Sequence, residues 1–335
     1  MSAREEVIAG FLAGVGWGDA ERRPLAADAS FRRYDRLTRA GGESAVLMDA
    51  PPPNENVAAF HQIQSLLLEL AFSAPRALGV DQAHGLMLLE DLGDRTFTRA
   101  LSEGAEEAAL YRLAVDLLID LHQRFEMRDG DIPPYDDTRL LEEATLFLDW
   151  YLPAIGQPVS DQARADYLAI WQELLPVARR VPESLVLRDY HVDNLMVVEG
   201  REGLAACGLL DFQDAVIGPV TYDLVSLLED VRRDVSGALV DELRARYLSA
   251  MPGLDPDVLA ASYAVMGAQR NAKIIGIFTR LCRRDGKPGY LRHIPRTWRL
   301  LEGDLRHPAL AGLAAWFART LPAERRVVPC TEAQP

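Results

Sequence analysis

Apolar positions recur along this chain with two different periods, and the change of period divides it. Val7, Ile8, Phe11, Leu12 and Val15 fall at helical spacing, which predicts a helix over the first 20 residues. Residues 24–50 change character: 29–37 (ASFRRYDRL) and 45–48 (AVLM) read as short strands, and Gly41-Gly42 between them is a hairpin signal. Pro51–Pro53 ends that segment, and residues 55–70 return to helical spacing through Val57, Phe60, Ile63, Leu66, Leu67 and Leu70. Two further strands are predicted at 77–80 and 86–89. After a connector at 90–94 (EDLGD) the pattern is mostly helical, as in 107–126, where Leu110, Leu113, Ala114, Leu117, Leu118 and Leu121 share a face. The expectation is an α+β protein of two lobes: a small β-rich lobe over residues 1–93 and a larger helical lobe over 94–335.

Composition narrows the class. Hydrophobic residues at 49% and charged residues at 26% suit a globular chain, and the formal net charge of −14 argues against a nucleic-acid binder or a protein held on anionic lipid. Cys207, Cys282 and Cys330 lack C-x-x-C spacing, which suits a reducing compartment and excludes a cysteine zinc site. With no signal-peptide pattern and no stretch near the ~20 apolar residues of a membrane helix, a cytoplasmic protein is expected, acting as a monomer.

One segment interrupts the helical lobe and carries the chemistry. Residues 195–198 and 205–210 are apolar runs joined by a glycine-bearing loop at 199–203, so they should pair as a hairpin. Pairing brings Asn194, before the first strand, close to Asp211, after the second. A carboxylate and an amide oxygen converging at a strand end suit a hard cation such as Mg²⁺, with nucleotide phosphates completing its shell. Asp189 lies five positions before Asn194, where it could accept a proton from a substrate hydroxyl.

This arrangement resembles the kinase catalytic set, in which an Asp-x-x-x-x-Asn loop precedes a short hairpin and an Asp-Phe pair. More narrowly, it is similar to the loop of aminoglycoside phosphotransferases and choline-kinase-like enzymes, His-Gly-Asp-x-His-x-x-Asn followed by Ile-Asp-Phe. Asp189, His191, Asn194, Asp211 and Phe212 match, as do Gly218-Pro219 and Tyr222-Asp223; Leu187 and Arg188 stand where that family has His and Gly. The resemblance implies a two-lobed protein-kinase-like fold, an ATP- and Mg²⁺-dependent small-molecule kinase, Asp189 as catalytic base, and Asn194 and Asp211 as metal ligands. His191 is expected to brace the loop, and Asp223 to cap or anchor the helix that follows it.

The nucleotide half departs from the pattern. No glycine-rich loop is present; Ser30, Phe31, Arg32 and Arg33 stand in its place, and successive strand residues point oppositely, so only one of the two arginines can reach a nucleotide. Met48 sits near the position of the phosphate-pairing lysine, which makes an arginine the expected substitute. Glu90 and Leu92 are expected to offer hinge backbone groups to adenine.

For the acceptor, residues 270–299 carry nine Lys or Arg against one acid, Asp285, a charge inversion that disfavours polycationic aminoglycosides. Residues 146–153, 187–195, 269–281 and 284–287 together resemble the bacterial cell-wall amino-sugar kinases that phosphorylate the anomeric hydroxyl of N-acetylmuramate and N-acetylglucosamine during peptidoglycan recycling. The acceptor is then a small amino sugar, with Arg188, Glu142, Trp150, Arg270, Asn271 and Lys273 as its expected contacts. Another small-molecule kinase of the aminoglycoside or choline type is the alternative, and a nucleotide-binding pseudokinase scaffold is the alternative of another class. Met48 and Leu187 support the scaffold; intact Asp189, Asn194 and Asp211 oppose it.

Overall fold

The computed structural model describes residues 2–25, 32–53, 55–127 and 132–330. Helix α1 (Ala3–Gly14) starts at Ser2, whose hydroxyl accepts from the Glu5 amide, and it buries Ile8 and Leu12. Strands β1 (Glu21–Pro24), β2 (Arg33–Thr38) and β3 (Ser44–Asp49) follow, then α2 (Val57–Glu69), capped by the Asn56 side chain. Strands β4 (Ala77–Asp81) and β5 (Leu86–Glu90) precede α3 (Phe97–Ser102) and α4 (Glu107–Arg124). Next come α5 (Asp137–Leu146), a π-helical turn (Phe147–Tyr151), the single turn α6 (Leu152–Ala154) and α7 (Asp161–Ala178). Four short strands interrupt the helices: β6 (Glu183–Val186), β7 (Leu195–Val197), β8 (Cys207–Leu209) and β9 (Val216–Pro219). Helices α8 (Thr221–Leu228), α9 (Gly237–Ala250), α10 (Pro256–Asp285), α11 (Ile294–Asp304) and α12 (Ala311–Thr320) complete the order.

Two compact units emerge: Met1–Leu117 with Val192–Ala215, and Leu118–His191 with Val216–Pro335. The packing therefore does not divide at a single cut after residue 93, because residues up to Leu117 and the β7–β8 hairpin associate with the sheet.

In the first unit, an antiparallel five-stranded sheet runs in the order β1-β2-β3-β5-β4. Leu37, Leu47, Leu86 and Leu88 pack with Ile8, Leu12 and Trp17 into one apolar cluster, so α1 and the sheet share a core. The β7–β8 hairpin is tied to this unit by several bonds. The Leu209 amide donates to the Ser73 carbonyl at 2.9 Å, the Val197 amide donates to the Arg95 carbonyl at 2.8 Å, and Arg201 pairs with Glu90 at 2.6 Å.

The second unit is built on α10, a helix buried over much of its 30 residues and packed by α5, the π-helical turn, α7, α8 and α11. Phe147 sits among Tyr151, Tyr167, Trp298 and Phe317, an aromatic cluster at the π-helical turn. Gly276 permits this packing: a Cβ there would run into the backbone of Leu146. Strands β6 and β9 of this unit pair antiparallel. No helix among the described residues is long and apolar enough to cross a membrane.

Candidate active site

The expected hairpin forms. Leu195 pairs with Leu209, Met196 with Gly208 and Val197 with Cys207, and the Leu210 amide donates to the Asn194 carbonyl at 3.0 Å. The register brings Asn194 and Asp211 together at its mouth, with the Asn194 amide 3.4 Å from a carboxylate oxygen of Asp211. Gln213 donates to the other oxygen at 2.8 Å. Asp211 adopts φ 57°, a left-handed conformation that a non-glycine residue takes at a cost, and the neighbouring Phe212 ring is buried 4.8 Å from Phe60 on α2. One carboxylate and one amide oxygen fit a magnesium ion that takes its remaining oxygens from phosphate and water. Among the described residues no group of three or more His, Cys, Asp or Glu forms an all-protein cage.

Of the nucleotide-side residues, Ser30 and Phe31 lie outside the described residues. Arg32 is buried at 9% exposure, 3.3 Å from Glu55 and 3.6 Å from Asp211, whereas Arg33 is exposed. Burial works against the charge of Arg32, but Tyr34, Asp211 and Glu55 more than offset it and hold the guanidinium above its ordinary pKa. Met48 is buried, facing Tyr34 and Met87 in register. The hinge reading needs one correction: the Glu90 amide already donates to the Arg76 carbonyl at 2.8 Å, so Glu90 can offer adenine only its carbonyl. Leu92 is half-buried, between Asp91 and Asp94, which Arg36 clamps at 2.7 Å each.

The loop bearing Asp189 belongs to the helical unit. Asp223 does not cap its own helix; its carboxylate accepts the Leu187 amide at 2.6 Å and the Arg188 amide at 2.8 Å. Burial pushes the Asp223 carboxyl up to about 7, against the two amides it accepts. Leu187 is buried, so the loop is braced by packing and by Asp223 at the position where a histidine was expected. Arg188 takes φ 71° at the family's glycine position, and its side chain pairs with Glu143 at 2.5 Å above the Tyr135 ring. Asp189 itself is exposed, while His191 is buried.

Glu143 is the centre of a polar cluster that the sequence did not single out. It meets Arg188, Lys273 at 3.0 Å and the Tyr135 hydroxyl, and Lys273 also donates to Tyr222 at 3.3 Å. Burial would raise its pKa, but Lys273 and Arg188 hold it below the ordinary carboxylate value. Lys273 is thus not a solvated cation. Glu142, next to Glu143 in sequence, is exposed and lines a separate open groove of about 490 Å³ with Thr138, Thr145, Asp149 and Gln172. Trp150 is half-buried on the π-helical turn. Asn271 is 0% exposed and donates to Glu229 at 2.9 Å and Asp304 at 3.0 Å; Arg270 is 3% exposed. Both expected acceptor contacts are thus buried, and Asn271 ties α10 to Glu229 and Asp304. Nor do the basic residues of 270–299 make one surface: Arg296 and Arg299 engage Asp234, and Arg284 engages Asp285.

The profile of the phosphotransferase enzyme family matches residues 21–259. The chain belongs to that family. A relative named N-acetylmuramate/N-acetylglucosamine kinase, from Caulobacter vibrioides, is 37% identical over 97% of this chain and 99% of its own. Among solved structures, a choline/ethanolamine kinase family protein from Mesorhizobium loti matches with TM-score 0.61 and 12% identity over 93% of this chain and 98% of that one. The GDP complex of aminoglycoside 2′-phosphotransferase-IIIa matches with TM-score 0.59 and 15% identity over 90% and 98%. The phosphotransferase therefore has a kinase-like fold, α+β as expected, with a small antiparallel sheet region and a larger helical part.

Proposed function

We propose that this phosphotransferase is an ATP- and Mg²⁺-dependent kinase that phosphorylates the anomeric hydroxyl of N-acetylmuramate and N-acetylglucosamine. It would act in the cytoplasm as a monomer, with the sheet of β1–β5 covering the nucleotide and the helical unit binding the acceptor. The single observation behind the acceptor is the end-to-end match to the Caulobacter vibrioides kinase of those two sugars. Asp189, exposed on a turn anchored by Asp223, takes the hydroxyl proton while the sugar oxygen bonds the γ-phosphorus and the bond to the bridging oxygen breaks, releasing ADP. Asn194 and Asp211 would hold Mg²⁺, which supplies neutralisation of the phosphate charge. Glu90 and Leu92 would receive adenine. Arg188 and Lys273, with Trp150, are the acceptor-side groups kept in this reading; an anomeric hydroxyl is more acidic than an ordinary alcohol, so a carboxylate base suffices.

Incubating the protein with ATP, Mg²⁺ and N-acetylmuramate, N-acetylglucosamine or kanamycin tests this directly. Both sugars should yield acid-labile phosphates that no longer reduce oxidants, and kanamycin should stay unmodified. A product that keeps its reducing end, or a phosphorylated aminoglycoside, would overturn the acceptor assignment.

A further inference from the structure

We infer that Arg32, oriented by Glu55, is the cation that receives the nucleotide phosphates, replacing the lysine absent at Met48. The inference rests on the kinase reading and goes beyond it by naming the residue pair and the path by which nucleotide and metal sites communicate.

A bound triphosphate brings several negative charges to the hairpin mouth, where Asp211 already places another. The fold must hold a cation there, and in most kinases a lysine on the third strand, paired with a glutamate of the following helix, is that cation. Here the third-strand position is Met48, 1% exposed and apolar. Several other arginines of the same unit are engaged elsewhere: Arg4 with Asp49, Arg22 with Glu5 and Asp35, Arg36 with Asp91 and Asp94, Arg95 with Glu103, and Arg76 and Arg201 with Glu90. Arg33 points to solvent. Arg32 alone among these reaches Asp211, and it is also paired with Glu55, immediately before the Asn56 cap of α2.

The triad grades outward. Side-chain exposure rises from 9% at Arg32 to 16% at Glu55 and 28% at Asp211, so the guanidinium is anchored at depth while the Asp211 end meets solvent. A buried cation between two carboxylates is a poor source of stability, because desolvation offsets most of the attraction. Its value is positional: a planar guanidinium with a fixed fork matches phosphate geometry. With nucleotide bound, Arg32 exchanges Asp211 for phosphate oxygens while Glu55 keeps it in place. Helix α2 and the residue leading into its cap touch the same segment twice, through Glu55–Arg32–Asp211 and through the Phe60–Phe212 ring contact, so a shift of α2 changes both the cation and the metal carboxylate.

The test is calorimetric titration of MgATP and of adenosine into wild type, Arg32→Gln, Arg32→Lys, Glu55→Gln and Arg33→Gln. Arg32→Gln should weaken MgATP about 10- to 100-fold, the worth of charged hydrogen bonds, and leave adenosine unchanged. Glu55→Gln should weaken MgATP less, Arg32→Lys should recover part of the loss, and Arg33→Gln should bind as wild type. If Arg32→Gln does not fold, Arg32→Lys and Glu55→Gln carry the comparison. MgATP affinity within twofold of wild type in the folded Arg32 and Glu55 variants, or a loss at Arg33→Gln instead, overturns the inference and leaves the kinase reading intact. A wild type that binds no nucleotide sinks both.

Discussion

The hairpin mouth and the Glu143 cluster use the same kinds of side chain in opposite ways. At the mouth, Asn194 and Asp211 are half-buried at a strand end, set by backbone register and by a strained Asp211. Around Glu143, one carboxylate holds Arg188, Lys273 and Tyr135 together, with every member mostly or wholly buried. The first region keeps polar capacity for a ligand; the second mainly uses its polar groups on each other. Charge density in the sequence does not distinguish these cases, whereas backbone geometry does.

The strongest way to break this comparison is at Asp189. Asp189→Asn should lower turnover by about 10²–10⁴-fold, the usual worth of a positioned base, with nucleotide affinity unchanged by calorimetry. Near-normal turnover would remove the functional half of the contrast. Next, Glu143→Ala leaves Arg188 and Lys273 buried without their carboxylate and should cost about 3–5 kcal/mol in urea denaturation. Glu142→Ala, one residue away but exposed, should stay within about 0.5 kcal/mol. Equal effects at the two positions would mean that the cluster is not internally satisfied.

The smallest effect concerns Asp223, whose folded pKa of about 7 lies above its ordinary value of 3.8 because of burial. Between those values the folded protein holds a proton that the unfolded chain has released. Its contribution is therefore fully present below about 4 and lost as pH rises through about 7. Asp223→Asn should flatten that part of the stability-against-pH curve, read as denaturation midpoints from pH 4 to 8. An unchanged slope would assign the titration elsewhere.

Much of the fold is legible in the sequence because it follows from periodicity. The strands at 77–80 and 86–89 and the helices at 55–70 and 107–126 appear within a residue or two as β4, β5, α2 and α4. Strand β1 was not, since Glu21-Arg-Arg-Pro is mostly exposed and carries no apolar alternation. The β6–β9 pair was missed because its partners lie far apart in sequence and are short. At the site, Asn194 and Asp211 could be paired because a hairpin fixes the distance between its ends. Glu55 left one signal, its place just before the cap of the helix after the third strand. Glu143 left none: helical phase around 142 and 143 does not say which of two adjacent glutamates turns inward, and the basic run at 270–299 likewise hides which cations are buried.

The interleaving of the two units has a consequence for how the chain is made. During synthesis the sheet of β1–β5 emerges early, but the hairpin that completes its unit, Val192–Ala215, follows only after Leu118–His191 of the other unit has been translated. Until then Ser73 and Glu90 lack their hairpin partners Leu209 and Arg201, so the first unit waits on the ribosome for a segment encoded after the first stretch of the second. No single cut in the gene releases a complete unit; a fragment meant to carry the sheet must bring the hairpin with it.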